Sequence, residues 1–98
     1  MFSVIYKWKL KEGQEDTFRE GWREVTKFFY ENYNSKGSRL HKSDDGFYIA
    51  YAQWPDQETW TKDKKFPDEY NTYFKMMNDS LEQGFPPVLL NVTDDLLQ

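Results

Sequence analysis

The chain has 98 residues, a formal net charge of −4 and an aromatic content of 19%, made up of eight Phe, seven Tyr and four Trp. This length predicts one domain spanning residues 1–98, and the acidic balance argues against nucleic-acid binding, which requires a clustered basic surface. Because the chain has no cysteine, disulfides, thiolate nucleophiles and cysteine-ligated metals are excluded.

The N-terminal residues MFSVIYKWKLK alternate apolar side chains with polar or basic ones. A signal peptide needs an unbroken apolar segment, and a membrane span needs a much longer one. Neither pattern occurs in the sequence, so we expect a cytoplasmic protein that has no membrane partner.

Two periodicities predict the first strand and the first helix. Residues 2–10 alternate with a period of two, which indicates a strand. Its apolar face carries Phe2, Val4, Tyr6, Trp8 and Leu10. After Gly13, apolar residues recur at spacings of three and four, which indicates an amphipathic helix of about five turns. The apolar stripe of this helix is Phe18, Trp22, Val25, Phe29 and Tyr33. Asn34 or Gly37 is expected to end it in a left-handed conformation.

Residues 43–46 (SDDG) are a strong turn signal between two further strands. A loop of two residues or of four gives the same pairing parity, so the predicted faces of the hairpin do not depend on that choice. One face is then expected to carry Leu40, Phe47, Ile49 and Tyr51. The other is expected to carry Arg39, His41, Tyr48, Ala50, Ala52 and Trp54.

Two helical segments, separated by Pro67, are predicted after the hairpin. Pro55 and Asp56 open the first segment, which is expected to reach about Lys65. Pro67 has no N–H and its ring clashes with a preceding helical turn, so a second helix is expected to begin there. The apolar stripe of the second helix is Tyr70, Phe74, Met77 and Leu81. Gly84 is expected to end it, and the run VLLNV predicts the last strand.

The predicted order β-α-β-β-α-β is the ferredoxin-like pattern of the α+β class. It implies an antiparallel four-stranded sheet with both helices on one face. The third strand, FYIAYAQW, is apolar on both of its faces, whereas two helices cover only one. We therefore expect a homodimer in which a second copy of the sheet covers the other face.

Three stretches of the sequence carry a family likeness: KEGQEDTF after the first strand, GSRLH at the second strand, and AYAQWPDQETW from the third strand into the next helix. Together they resemble the antibiotic biosynthesis monooxygenase-like family of dimeric α+β barrel proteins, over roughly residues 2–92. The resemblance implies a homodimer whose sheets face each other, with a cavity between the sheet and the helices of each subunit. It also implies activities found in the family, which include oxidation of polycyclic phenols without metal or flavin, and haem degradation.

The haem-degrading branch of the family uses an asparagine on the first strand, with a tryptophan and a histidine in the second helical region. The corresponding positions here fall at Tyr6, near Asp63 and near Tyr73, and none of them matches. This mismatch argues against haem degradation. With one histidine, no cysteine and no glycine-rich phosphate loop, the chain is expected to use no metal and no other cofactor.

His41 is the candidate catalytic residue, because an imidazole titrates near neutral pH and could take the proton of a phenol. The alternative is a structural histidine, bonded to Tyr48 or to solvent or placed at a dimer contact. The candidates for the walls of a flat, substrate-binding pocket are Tyr6, Trp8, Trp60, Phe66 and Tyr73. For each of these aromatic residues the alternative is ordinary core packing.

Two functions are compatible with these observations. The first is a cofactor-independent monooxygenase-like enzyme, an oxidoreductase in which dioxygen reacts directly with a bound aromatic or quinol-type small molecule. The alternative is a non-catalytic dimeric module that binds a small hydrophobic ligand or serves as a structural partner.

Overall fold

In the computed structural model, which describes residues 1–98, five strands and three helices follow one another along the chain. They are β1 (Phe2–Leu10), α1 (Glu15–Asn32), β2 (Ser38–Lys42), β3 (Tyr48–Trp54), α2 (Gln57–Thr61), α3 (Asp68–Asp79), β4 (Leu81–Gly84) and β5 (Val88–Asn91). The predicted α+β, ferredoxin-like fold is confirmed, and Pro67 separates α2 from α3 as predicted. The chain leaves α1 through Asn34 and Gly37, whose φ angles are 61° and 96°. None of the helices is both long and apolar enough to span a membrane.

The five strands form one antiparallel sheet in the order β2-β3-β1-β4, and β5 also pairs with β1. β1 is long enough to pair with β5 along its first residues and with β4 near its end. The expectation of four strands is therefore corrected to five. Leu81 was predicted in the second long helix, but α3 ends at Asp79 and Leu81 pairs with Leu10 of β1. Pairing with the free edge of β1 outweighs the helical spacing of the apolar residues at this point.

The hairpin between β2 and β3 has a loop of three residues. The backbone N–H of Ser43 donates to the carbonyl of Phe47 at 2.8 Å, which leaves Asp44, Asp45 and Gly46 as the loop. Gly46 has a φ of 90°, the left-handed conformation that closes three-residue hairpin loops. An odd loop length shifts the strand pairing by one residue relative to a loop of two or four residues.

This shift reverses the predicted faces of β2. Leu40 pairs with Ala50, and His41 pairs with Ile49. The expectation that Leu40 shares a face with Ile49 and that His41 shares one with Ala50 was therefore wrong. The prediction for β3 on its own was correct, because Tyr48, Ala50, Ala52 and Trp54 are all buried on one face.

The inner face of the sheet is the face that the helices cover, and the core lies between the two. The buried apolar residues are Phe2, Val4, Phe18, Val25, Phe28, Tyr48, Ala50, Ala52 and Trp54. Six of them come from alternate positions of β1 and β3, whose register pairs Phe2 with Trp54 and Val4 with Ala52. The remaining three come from α1, so the core joins this helix to the two central strands.

The outer face of the sheet is the opposite one. By strand register it carries Ser3, Ile5, Lys7, Arg39, His41, Ile49, Tyr51, Gln53, Val88 and Leu90. Val88 and Leu90 are 52% and 41% exposed, because the helices lie on the inner side. A cavity of about 1130 Å³ lies between part of this face and residues 92–98.

Helix α1 packs closely against α3 at Gly21. A Cβ atom added to Gly21 would lie 2.6 Å from the backbone oxygen of Tyr73 and 2.9 Å from Cγ of Met77. Both distances are shorter than van der Waals contact. The absence of a side chain at Gly21 therefore sets the separation of the two helices.

Candidate functional site

Tyr6 and Trp8 lie side by side on the inner face, since side chains two residues apart in a strand project to the same face. Their rings are stacked, with 5.6 Å between centroids and 5° between planes. Trp8 then contacts Phe18 of α1 at 5.0 Å between centroids, and Phe18 contacts Tyr48 of β3 at 5.9 Å. These four residues form a continuous aromatic row across the inner face.

Trp60 reaches the same row from α2. Asp56 caps this helix by accepting a hydrogen bond from the backbone N–H of Thr59 at 2.7 Å, which fixes the direction in which the helix leaves the sheet. The indole Nε1–H of Trp60 donates to the hydroxyl oxygen of Tyr6 at 2.9 Å. Its ring also packs on Phe2, at 5.7 Å between centroids.

The hydroxyl hydrogen of Tyr6 is left free by this arrangement. A phenolic hydroxyl both donates and accepts, and the bond from Trp60 uses Tyr6 only as an acceptor. Burial raises the pKa of Tyr6, and the hydrogen bond from Trp60 offsets only part of that rise. Tyr6 therefore stays protonated at neutral pH and keeps one hydrogen to donate.

A second donor without a partner belongs to the same cluster. Trp54 is 3% exposed, and its indole Nε1 is buried without a hydrogen-bond partner. Trp54 forms part of the buried cluster against which Tyr6 and Trp60 pack. An unpaired buried N–H costs free energy, so a hydrogen-bond acceptor placed beside Trp54 would stabilise this part of the cluster.

Lys64 places a positive charge beside these aromatic rings. Its ammonium group lies 4.9 Å from the ring centre of Trp54 and 5.8 Å from that of Phe29, which are distances of cation–π contact. It also donates to the backbone carbonyls of Trp60 and Lys62. Burial lowers the pKa of Lys64. Sequence reasoning did not single out this lysine, because it lies in an irregular segment where no periodicity indicates the direction of a side chain.

Phe66 belongs to a neighbouring cluster rather than to the row of Tyr6. Its ring contacts Phe29 at 5.6 Å and Phe74 at 4.4 Å between centroids, and Phe29 in turn contacts Trp54 at 5.8 Å. Phe66 therefore joins the site only through Phe29 and Trp54.

Tyr73 lies further away on α3. Its ring packs against Tyr70 at 5.9 Å between centroids, and its backbone oxygen faces Gly21 of α1. Of the five aromatic residues predicted for the pocket, the structure thus brings Tyr6, Trp8 and Trp60 together, connects Phe66 indirectly and places Tyr73 at the contact between two helices.

His41 lies on the outer face, across the sheet from the aromatic row. It is exposed, and its ring Nδ1 lies 3.1 Å from the carbonyl oxygen of Ile49. A carbonyl only accepts, so the Nδ1 position carries the hydrogen in this bond and Nε2 is free. Because the sheet separates His41 from Tyr6, the two residues do not form one site within a subunit.

The carboxylates of the chain do not converge on a common point. No group of three or more His, Asp or Glu side chains is placed to hold a metal ion. The one carboxylate that touches the aromatic row is Glu15, which accepts hydrogen bonds from the hydroxyl of Tyr48 at 2.8 Å and from Lys42 at 3.1 Å. These two bonds, first that from Tyr48, lower the pKa of Glu15.

Comparison with known proteins finds similarity in structure only. No protein-family profile matches the chain, and no curated protein matches its sequence. Among solved structures, the fold is that of proteins named antibiotic biosynthesis monooxygenase. One such protein has a TM-score of 0.71 and 17% identity, with 96% of this chain and 100% of that chain covered.

Two further solved structures cover almost the whole chain. SnoaB of Streptomyces nogalater, named a cofactor-independent oxygenase, has a TM-score of 0.73 and 12% identity over 99% of this chain and 97% of that chain. Rv0793 of Mycobacterium tuberculosis has a TM-score of 0.76 and 13% identity over 98% of both chains. The resemblance to the antibiotic biosynthesis monooxygenase-like group is thus confirmed at the level of the fold.

Proposed function

We propose that the protein is a homodimeric, cofactor-independent monooxygenase-like enzyme that oxidises an aromatic or quinol-type small molecule. The observation that carries this proposal is the pair of hydrogen-bond donors, the hydroxyl of Tyr6 and the indole N–H of Trp54, which lie in an aromatic cluster without acceptors of their own. A flat ligand with oxygen atoms on its rim satisfies both the rings and the donors. The structural similarity to SnoaB, named a cofactor-independent oxygenase, supports the same class of reaction.

In the proposed reaction, a phenol loses its proton and the resulting anion reacts directly with dioxygen at a ring carbon that carries hydrogen. A hydroperoxide forms there, and loss of water leaves a quinone, so one oxygen atom enters the product and the other leaves as water. Donation from Tyr6 stabilises the substrate oxyanion, and the ammonium group of Lys64 lowers its energy further. His41 is not needed at this site, because it lies on the other face of the sheet, and the substrate is proposed to lose its proton by its own ionisation.

The expected test is oxygen consumption by the purified protein with a panel of electron-rich polycyclic phenols and quinols. Tyr6→Phe keeps the ring stacked on Trp8 but removes the hydroxyl, and it is expected to lower turnover by about 10²-fold, as loss of one oxyanion donor does. Rates are measured with an oxygen electrode, after subtraction of uptake without protein and in the presence of a chelator.

Tyr30→Phe is the matched control, because Tyr30 is 47% exposed on α1 and the same hydroxyl is removed there. Its rate should equal that of the unchanged protein. Equal rates for Tyr6→Phe and Tyr30→Phe would contradict the role of Tyr6, and the lack of oxygen uptake with every substrate would contradict the proposed reaction.

The homodimer is proposed from the outer face of the sheet. Ile5, Ile49, Val88 and Leu90 share this face by strand register. The helices pack against the inner face and leave the outer face uncovered. A chain of this size gains stability by burying a second apolar surface. A second copy of the same sheet is the occupant we propose, because it presents the same apolar strip.

Light scattering coupled to size exclusion is expected to give about twice the chain mass of 11.9 kDa. Val88→Glu places a charge on the outer face next to Ile5 and is expected to shift the protein toward monomer, since burying an unpaired carboxylate is costly. Tyr30→Glu is the control, because Tyr30 is 47% exposed on α1 and the same charge is added there on the helical side of the sheet. A dimer that Val88→Glu leaves intact would show that another surface forms the contact.

The second candidate function is a non-catalytic dimeric module that binds a small hydrophobic ligand or supports a partner protein. The observation in its favour is that Tyr6, Trp8 and Phe18 already pack on one another, so a ligand must displace some of these contacts. Binding of polycyclic phenols that quenches tryptophan fluorescence, without any oxygen uptake, would identify this module.

A further inference from the structure

Four side chains that lose one electron readily adjoin one another between α2 and β3: Trp60, Tyr6, Trp8 and Tyr48. Trp60 bonds to Tyr6, whose ring is stacked on Trp8. Trp8 and Tyr48 are directly opposite each other in the register of β1 and β3, so their Cβ atoms lie about 5 Å apart. Phe18 contacts both of their rings. We call these four residues the Trp–Tyr row.

The Tyr48 end of the Trp–Tyr row has a proton acceptor. The hydroxyl of Tyr48 donates to Oε2 of Glu15 at 2.8 Å, and Lys42 donates to Oε1 at 3.1 Å. These bonds lower the pKa of Glu15, so its carboxylate is ionised at neutral pH and is able to take up a proton. The side chain of Glu15 is 48% exposed, whereas Tyr48 is 6% exposed. Glu15 therefore connects a buried phenol to solvent.

The Tyr6 end of the row has no comparable acceptor. The hydroxyl oxygen of Tyr6 accepts from Trp60, and its own hydrogen has no partner. A phenol that loses an electron becomes strongly acidic and must release its proton. Oxidation of Tyr6 would leave that proton without an acceptor in the protein, whereas oxidation of Tyr48 delivers it to Glu15. The row therefore has a direction, and Tyr48 is the residue on which a missing electron is most stable.

We propose that the Trp–Tyr row is an electron-transfer path that carries an oxidising equivalent from the candidate site to Tyr48, where Glu15 receives the proton. A one-electron oxidant of the peroxyl-radical class takes an electron from Trp60 and becomes a hydroperoxide with a proton from water. Trp8 then supplies an electron to Trp60 through the ring of Tyr6. Tyr48 gives an electron to the Trp8 radical cation, and its hydroxyl proton passes to Oε2 of Glu15. The products are neutral indoles, a tyrosine phenoxyl radical and a neutral carboxyl group.

The Tyr48 end is also open to small reductants. Tyr48 lines a groove of about 540 Å³ between α1 and β2. A soluble one-electron donor of the ascorbate or thiol class returns the electron there, and Glu15 returns the proton, which restores the starting state. Such a path removes oxidising radicals from the aromatic core. Its use during turnover rests on the proposed oxidation, but the electron transfer itself does not.

The experiment is pulse radiolysis of the purified protein with azide radicals, which at neutral pH oxidise indoles in preference to phenols. The optical absorption of the tryptophan radical should decay while that of a tyrosyl radical appears. The rate constant should be the same at every protein concentration, because the transfer occurs within one molecule. It should be lower in D₂O, because the hydroxyl hydrogen of Tyr48 moves with the electron. Electron paramagnetic resonance of frozen samples verifies that the product is a tyrosyl radical.

Glu15→Gln is expected to slow the appearance of the tyrosyl radical by about 10²-fold, as loss of a positioned proton acceptor does. The amide keeps the size of the side chain and its carbonyl oxygen, but it does not take up a proton. Glu20→Gln is the matched control, because Glu20 is exposed on the same helix and makes no bond to Tyr48. Its rate should equal that of the unchanged protein.

Two further pairs of variants identify the row itself. Tyr48→Phe should abolish the concentration-independent tyrosyl signal, whereas Tyr30→Phe should retain it, because Tyr30 is 47% exposed on α1. Trp8→Phe keeps a ring in the row but removes the oxidisable indole, and it should slow the transfer. Trp22→Phe makes the same change at a half-buried position on α1 outside the row, and it should leave the rate unchanged. An unchanged circular dichroism spectrum verifies that each variant is folded.

Three results would overturn the proposal: an undiminished tyrosyl signal in Tyr48→Phe, equal rates in Glu15→Gln and Glu20→Gln, or an effect of Trp22→Phe as large as that of Trp8→Phe. None of these measurements uses a phenolic substrate or oxygen uptake. A protein that fails to oxidise phenols but transfers the electron as described would retain this path and lose only the proposed reaction.

Discussion

Phe18→Ala is expected to lower the free energy of unfolding by about 3–5 kcal/mol, the range for removal of a buried phenyl ring. Phe18 is fully buried, and it contacts Trp8 of β1 and Tyr48 of β3 from its place on α1. The substitution therefore opens a cavity where the helix meets both central strands. A protein of this size has a total free energy of unfolding of about 5–15 kcal/mol, so this one substitution should remove a large part of it and move the denaturation midpoint clearly downward.

The measurement is urea denaturation followed by circular dichroism, at one fixed protein concentration so that any self-association contributes equally. Tyr30→Ala serves as the control, because it removes an aromatic ring from the same helix at an exposed position. It should change the free energy of unfolding by less than about 0.5 kcal/mol. A similarly small change for Phe18→Ala would show that the core does not depend on this contact.

Gly21→Leu is expected to lower the free energy of unfolding by about 2 kcal/mol or more. A side chain at this position meets the backbone oxygen of Tyr73 at its first atom, and a backbone atom moves only if α3 moves with it. Overpacking of this kind costs about 1–3 kcal/mol. Leucine also gains roughly 0.8 kcal/mol over glycine in helix propensity, so the measured loss understates the steric cost.

Glu20→Leu tests the neighbouring, exposed position on the same helix, and it should leave the denaturation midpoint nearly unchanged. Both variants place a leucine on α1, facing α3 at position 21 and solvent at position 20. A Gly21→Leu protein as stable as the unchanged one would mean that α1 and α3 separate without cost, and that the close approach at Gly21 is not a constraint.

Much of the fold is predictable from the sequence, because strong periodicities act over long segments. The alternation of β1 and of β3 identifies the inner face correctly. The break between the two later helices is also predictable, because Pro67 has no N–H and its ring clashes with a preceding helical turn. β4 could not be predicted in this way. Leu81 continues the helical spacing of Tyr70, Phe74 and Met77, and only the free edge of β1 gives its backbone a better partner.

The site is less predictable than the fold, because it depends on segments without periodicity. Strand alternation is enough to place Tyr6 beside Trp8. The bond from Trp60 to Tyr6 depends on how α2 leaves the sheet, and the position of Lys64 depends on the irregular residues after α2. The faces of β2 depend on a loop whose residues, Ser-Asp-Asp-Gly, suit two, three or four positions equally well.

The three-residue loop at Asp44, Asp45 and Gly46 has a consequence for how such a protein evolves. Deletion or insertion of one residue there would change the loop to an even length. β2 would then pair with β3 in a register shifted by one residue, so that Leu40 shares a face with Ile49. Arg39 and His41 would then lie on the inner face and Leu40 on the outer face, although the amino-acid sequence of β2 had not changed. A single indel in a solvent-exposed turn could thus move an imidazole from one side of the sheet to the other, which substitutions along the strand would achieve only in several steps.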